Sequence, residues 1–246
     1  MNQILVTKKL YVTPELKRKK RIYKFNFMLS IFVVLILVSL YIYAEYDRNK
    51  SEQVSQQILE DMNTIQEQER QAKSDVLVVV LNGAQEDANI QALNSKENEV
   101  PQKQKYTTAN GYSYYTVATV SIPKLGKSYP VIQGETETEK EIEELLKYSP
   151  CKLEGPEPNE KGNFCIIGHN YRNDKFFSKV PTLQNGDKIN ITDLKERTIT
   201  YEVYKNYVVD PTDVSCLNPT SNKEITLITC TDDSKQRVIV KAREVK

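Results

Sequence analysis

The sequence predicts a mainly β domain carried behind an N-terminal transmembrane helix. Three observations predict it. From Phe27 to Ala44 the chain reads FMLSIFVVLILVSLYIYA, without one charge. The C-terminal half holds short runs rich in Ile, Val, Thr and Tyr, separated by turn residues. The composition, 39% hydrophobic and 27% charged over 246 residues, is that of a folded chain rather than a disordered one. That length allows one or two domains.

Charge is unevenly spread. Residues 1–24 carry Lys8, Lys9, Lys17, Arg18, Lys19, Lys20, Arg21 and Lys24 against Glu15 alone, a net +7 in a chain whose total is +1. A basic arm of this kind suits nucleic acid or a membrane surface. The apolar run behind it decides for the membrane, because it approaches the roughly 20 residues needed to cross a bilayer. No nucleic-acid partner is therefore expected. Basic flanks stay cytoplasmic, which sends the C-terminus outward. A cleavable signal peptide is the competing reading. The run is long for one, and Ile42-Tyr43-Ala44 places a large residue where a cleavage site wants a small one. The expected plan is a cytoplasmic tail at 1–24, an anchor at 25–45, a helical stalk and linker at 46–110, and a folded domain at 111–246.

Within the stalk, Val54, Ile58, Met62 and Ile65 recur at helical spacing and form one narrow apolar stripe, suited to a stalk or to a helix packed on the domain. The run VLVVVL at 76–81 is too short for periodicity to assign. Residues 84–110 are polar and read as a linker. The domain opens with YSYYTVATVSI, closed by Pro123. Residues 136–148 read as a short helix with Ile142, Leu145 and Leu146 inward and Pro150 beyond its end. The acidic residues of 135–144 read as its solvated face. A Pro/Gly/Glu loop leads into NFCIIGH, a buried strand. Asn185-Gly186-Asp187 marks a turn between strands. KINIT, TITYEVYKNYVV, EITLITC and RVIVKAREV complete a closed or sandwich-like β domain.

Chemistry concentrates at two strand ends. His169 is the sole histidine, and it ends the strand Cys165–Gly168 where a polar loop begins. A strand end holds a side chain at the rim on a rigid support, and His169 is the candidate base of near-neutral pKa. Cys230 ends another strand, and six polar residues (TDDSKQ) separate it from Arg237. A hairpin here returns Arg237 to Cys230. A guanidinium beside a thiol favours the thiolate and can donate to an oxyanion. The bland alternative, a buried cysteine and a surface arginine, stays open on spacing alone. Cys165 shares a strand face with His169, but its apolar neighbours suit inert core. Cys216 has no basic neighbour in sequence. Four widely spaced cysteines and one histidine lack ligand spacing, so neither a metal nor another cofactor is expected.

Together these segments resemble the sortase family over roughly residues 112–246. Thr226-Leu227-Ile228-Thr229-Cys230 resembles its TLxTC signature, and Arg237 follows at the usual short interval. Gly168-His169 resembles its histidine motif. Phe176-Phe177, Leu183 and Gly186-Asp187 fall where similar residues stand in sortases. Ile122-Pro123 with Pro130-Val131 resembles the early strand and turn. The resemblance implies an eight-stranded β barrel with short helices. It also implies a Gram-positive cell-surface transpeptidase that cleaves the Thr–Gly bond of an LPXTG-like signal. In that scheme Cys230 is the nucleophile and His169 the proton carrier. Arg237 holds substrate and oxyanion, and Thr229 lines the substrate groove. The partners are proteins bearing the signal and an acceptor amine on a cell-wall precursor or a pilin.

The absence of tryptophan and of an Asp-Pro-aromatic lid argues against lidded pilin-polymerising members. The Gly-His-Asn triplet resembles class B, whereas the short interval between His169 and Cys230 leaves class D open. Two rival readings remain at this point. A non-enzymatic surface domain for adhesion or signalling predicts Cys230 buried or disulfide-bonded. A thiol redox protein needs two cysteines within bridging distance.

Overall fold

The structure, a computed structural model, describes residues 14–82, 105–108 and 110–245, with the backbone alone at 69 and 72–82. Lys8, Lys9 and most of the expected linker lie outside these residues. The chain forms two compact units, Met1–Asn49 and Lys50–Lys246. Helix α1 (Pro14–Asn82) contributes to both.

In the first unit, α1 presents Phe27, Phe32, Leu35, Leu37 and Leu40 outward along a stretch long and apolar enough to cross a membrane. A helix suits that setting because its backbone polar groups are satisfied internally. In the second unit the same helix packs against the β domain. Ser55, Ile58 and Met62 are buried, and Ile58 joins Tyr114, Ile132, Leu145, Leu146 and Cys151 in one apolar cluster. Spacings of three and four residues put these positions on one face. The Ser55 and Ser149 hydroxyls meet at 3.0 Å, and Gln56 donates to the Ser128 carbonyl at 3.3 Å. The run at 76–81, which periodicity could not assign, is helical in backbone and lies in the last turns of α1.

The β domain contains β1 (Lys105–Thr107), β2 (Ser113–Ile122), β3 (Lys127–Gly134), β4 (Cys151–Glu154), β5 (Gly162–Ile167), β6 (Lys188–Asp193), β7 (Thr198–Val209), β8 (Lys223–Cys230) and β9 (Arg237–Glu244). Their order is β1-β2-β3-β4-β5-β8-β9-β7-β6, and β6 also pairs with β2. That pairing closes β2 to β9 into the expected eight-stranded barrel. The short β1 uses the part of β2 that β6 leaves free, so it starts the sheet within the stretch expected to be linker.

Closure removes sheet edges and encloses a core. Val120, Val131, Phe164, Ile166, Ile191, Ile225, Leu227, Val238 and Val240 meet inside. Phe176, Phe177, Val180 and Leu183, from the chain between β5 and β6, join the same core. Asn185-Gly186-Asp187 therefore follows a 3₁₀ turn, Val180–Thr182, rather than a strand. Pro130 sits within β3, where β4 makes only the pair Ile132–Cys151 and no ladder donor is wanted.

Helix α2 (Glu139–Leu145) is shorter than expected, with Thr138 as its N-cap. One of its acidic residues departs from the solvated face. Glu141 is 2% exposed. Its carboxylate accepts from the Glu135, Thr136 and Glu137 amides at 3.2, 3.0 and 2.7 Å and from the Thr136 hydroxyl at 2.9 Å. A buried carboxylate is tolerated when donors surround it. Gly134 leaves the room, since a Cβ there would lie 2.3 Å from that carboxylate.

Candidate active site

The centre of the site is the parallel pair β5–β8. Its register runs from Gly162–Lys223 to Ile167–Ile228. Beyond Ile167 the chain stays attached. The Gly168 N–H donates to the Ile228 carbonyl at 3.0 Å, and the Asn170 side-chain amide donates to the Cys230 carbonyl at 2.9 Å. His169 lies between these two ties. Carried two residues past its last pair, Ile167–Ile228, the register leads to His169 and Cys230.

On the other side of β8, β9 runs antiparallel and pairs Arg237 directly with Cys230. The hairpin turn is held by the Thr231 N–H on the Gln236 carbonyl at 3.0 Å. Arg237 Nη1 donates to Cys230 Sγ at 3.3 Å. Cys230 and Arg237 on β8 and β9, and His169 just past the end of β5, thus gather at one end of three adjacent strands, and each is half-buried.

Strand alternation decides which way they face. Leu227, Val238 and Ile166 point into the barrel, whereas Ile228, Ile239 and Ile167 form a separate cluster with Cys216 on its outside. Cys230, Arg237 and His169 stand two residues from Ile228, Ile239 and Ile167, so they share the outer face. Half-buried Leu153, Tyr207, Val209 and Leu217 border that cluster. Ile228, Ile239 and Cys216 are themselves buried within it.

Local structure holds the histidine. The Phe177 N–H donates to the His169 carbonyl at 3.1 Å, and the imidazole packs against the Tyr171 ring at 5.1 Å between centroids. Tyr171 in turn meets Phe176, which takes left-handed backbone (φ 47°) while its N–H donates to the Tyr129 hydroxyl at 2.9 Å. Burial, and secondarily the Lys147 ammonium, hold the His169 pKa below its ordinary value. The Asn170 amide also donates to the Asp232 carboxylate at 2.9 Å, so one side chain spans the ends of both strands.

Thr229, expected at the groove, is 1% exposed and faces away from Cys230. Its hydroxyl donates to the Gly168 carbonyl at 2.8 Å, tying β8 to the strand end that carries His169. All four cysteines are free thiols. Cys151, Cys165 and Cys216 are buried, and burial pushes their thiols up, that of Cys165 to about 12. They suit the inert role expected of Cys165. Asn170 is a supporting residue whose brace the sequence did not disclose, though its place next to the lone histidine was a signal.

A sortase domain family model matches residues 120–245. The chain is 38% identical over 84 residues to sortase A of Listeria monocytogenes, covering 32% of this chain and 37% of that one. It is 28% identical over 112 residues to sortase D of Bacillus subtilis, covering 45% and 52%. The matched regions thus span about half or less of these two relatives. Among solved structures, a sortase D5 transpeptidase of Clostridium perfringens is similar at 28% identity and a TM-score of 0.47, over 65% of this chain and 91% of that one. A pilus-related sortase C of Group B Streptococcus is similar at 30% identity and a TM-score of 0.47, over 53% and 68%. Because the family model takes in just over half of the 246 residues, including all three side chains gathered at the strand ends, the chain belongs to the sortase family.

Proposed function

We propose that this protein is a membrane-anchored cysteine transpeptidase. It cleaves an LPXTG-like signal and transfers the attached protein to an amine. The observation that carries the reading is the Arg237–Cys230 contact of 3.3 Å, on the strand next to the one that leads to His169.

An extended peptide lies on the outer face with its Thr–Gly carbonyl over Cys230. The thiolate adds to that carbonyl, and charge builds on the oxygen. The Arg237 guanidinium donates to it where water is partly excluded, which is where such donors are worth most. The C–N bond then breaks, and His169 gives the departing glycine amine the proton that it took from the Cys230 thiol when the thiolate formed. A thioester on Cys230 remains. The neutral imidazole next removes a proton from the incoming amine, from a cell-wall precursor or a pilin, and the new amide releases the thiol. Two acyl transfers replace one difficult amide exchange. Thr229 and Asn170 enter as positioning residues, the first holding Gly168 and the second bridging the strand ends.

The apolar stretch of α1 serves as the anchor, with the basic residues cytoplasmic and the barrel outside. Residues 111–246 carry the catalytic machinery. The test is cleavage of a panel of quenched-fluorescent LPXTG-like peptides by the full chain in detergent, with Cys230→Ala beside it. Cleavage that vanishes with Cys230→Ala supports the reading. Cleavage that survives it, or Cys230 closed to alkylation by a native disulfide, overturns it.

A further inference from the structure

A carboxylate from helix α1 reaches the loop that holds the histidine. Glu52 is half-buried and belongs to the unit that contains the β domain. Ser55 and Gln56, three and four residues on, share its face of the helix. They fix that face on either side of Tyr129. Gln56 donates to the Ser128 carbonyl, and the Ser55 hydroxyl meets that of Ser149, which donates to the Pro130 carbonyl at 2.6 Å.

Tyr129 is 1% exposed, and its hydroxyl donates to Glu52 Oε1 in a long bond of 3.5 Å. Burial, and then this carboxylate, push the Tyr129 phenol up, so it stays protonated and able to donate. The same oxygen accepts from the Phe176 N–H at 2.9 Å. The Glu52 carboxylate also meets two ammonium groups, Lys127 of β3 at 3.5 Å and Lys175 of the loop at 3.8 Å. One side chain therefore holds two consecutive loop residues, Lys175 directly and Phe176 through a hydroxyl. The second of them needs holding. Its left-handed backbone is uncommon for a bulky residue and persists where surroundings fix it. From Phe176 two routes lead to the catalytic imidazole. Its ring packs on Tyr171, which packs on His169, and the next residue, Phe177, donates its N–H to the His169 carbonyl.

We propose that Glu52 is a positioning residue for His169: from helix α1 it holds Lys175 and, through the Tyr129 hydroxyl, Phe176, and so sets the loop against which the imidazole packs. The proposal rests on the transpeptidase reading above. It makes the helix that carries the apolar stretch a part of the frame of the active site.

The experiment compares the full chain in detergent with Glu52→Ala and Tyr129→Phe. Peptide cleavage is measured, and the imidazole C–H signal of His169 is titrated by NMR. Both variants are expected to lower kcat about tenfold with KM within about twofold, the cost of a misplaced proton carrier. Both are expected to move the His169 midpoint upward, towards 6.5, because a looser loop admits water to a group whose pKa burial holds down. Lys147 stays in place in both, so its effect on the midpoint is constant. The sign separates positioning from charge. Loss of the Glu52 charge acting directly would move the midpoint down, and Tyr129→Phe removes no charge. An unmoved or lowered midpoint in either variant, or an unchanged kcat, overturns the proposal whatever happens to melting. If Glu52→Ala does not fold, Tyr129→Phe decides by the same criteria. If the unsubstituted chain cleaves no peptide, the transpeptidase reading has failed. The midpoint then decides by itself: a rise in the variants upholds the support of the histidine by Glu52, and no rise overturns it.

Discussion

Arg237 donates to the sulfur of Cys230 across a directly paired position of the β8–β9 hairpin. A pairing of this kind fixes the guanidinium by the register of two strands rather than by a loop. Arg237→Ala should lower kcat by about 10²–10³-fold with little change in KM, the loss typical of an oxyanion donor. Arg237→Lys should recover little of it, because an ammonium lacks the planar fork. Steady-state peptide cleavage measures both.

His169 offers a clean titration, because no other histidine shares its spectrum. Its pKa is held below 6.5 by burial first and by Lys147 second. Following its imidazole C–H signal by NMR should give a midpoint below 6.5, and Lys147→Gln should move it upward. Linkage gives the sign for stability. As pH falls through 6.5 towards the folded-state value, the unfolded chain takes up the proton first. The stability that this group contributes above 6.5 is therefore lost in that window. His169→Gln should flatten the pH dependence of melting there.

Thr229→Val removes a buried hydroxyl from the Gly168 carbonyl and should cost about 1–2 kcal/mol of stability. It should also lower kcat more than it raises KM, because the strand end before His169 loses its tie. A rise in KM with unchanged melting would instead place Thr229 in contact with the peptide.

Gly168→Ala should destabilise the fold by about 1–3 kcal/mol, an overpacking cost. The added Cβ would lie 2.6 Å from the buried Phe177 ring. Thermal melting measures the loss.

Ile58→Ala should cost about 2–5 kcal/mol in the melting of the β domain, as for a core residue. No effect would mean that this part of α1 is only a tether.

The sequence made the hairpin legible because both its signals are local. Period two puts Cys230 on one face, and a six-residue polar turn returns Arg237. The neighbourhood of His169 and Cys230 had no such signal. It arises from a parallel pair whose strands are joined by a long crossover through β6 and β7, and only the resemblance to sortases suggested it. Glu141 was misread for a related reason. A carboxylate in an acidic helix looks solvated until the turn before it folds back and offers three amides. The bonds from the buried Asn163 amide on β5 to the Cys216 and Asn218 carbonyls were invisible, because they span more than fifty residues.

The alternation along β8 places the thiol and the hydrophobic core on opposite sides of a single strand. Slipping that strand by one residue would send Cys230 into the barrel and turn Leu227 out to water. Such a chain would lose its outward-facing thiol and its packing together. Quality control is thus built into the pleat: a misassembled copy is disarmed by the same error that unfolds it. The outer face, by contrast, can accept substitution at Leu153, Tyr207 or Val209 while the interior stays as it is. One strand separates what must be kept from what is free to diversify.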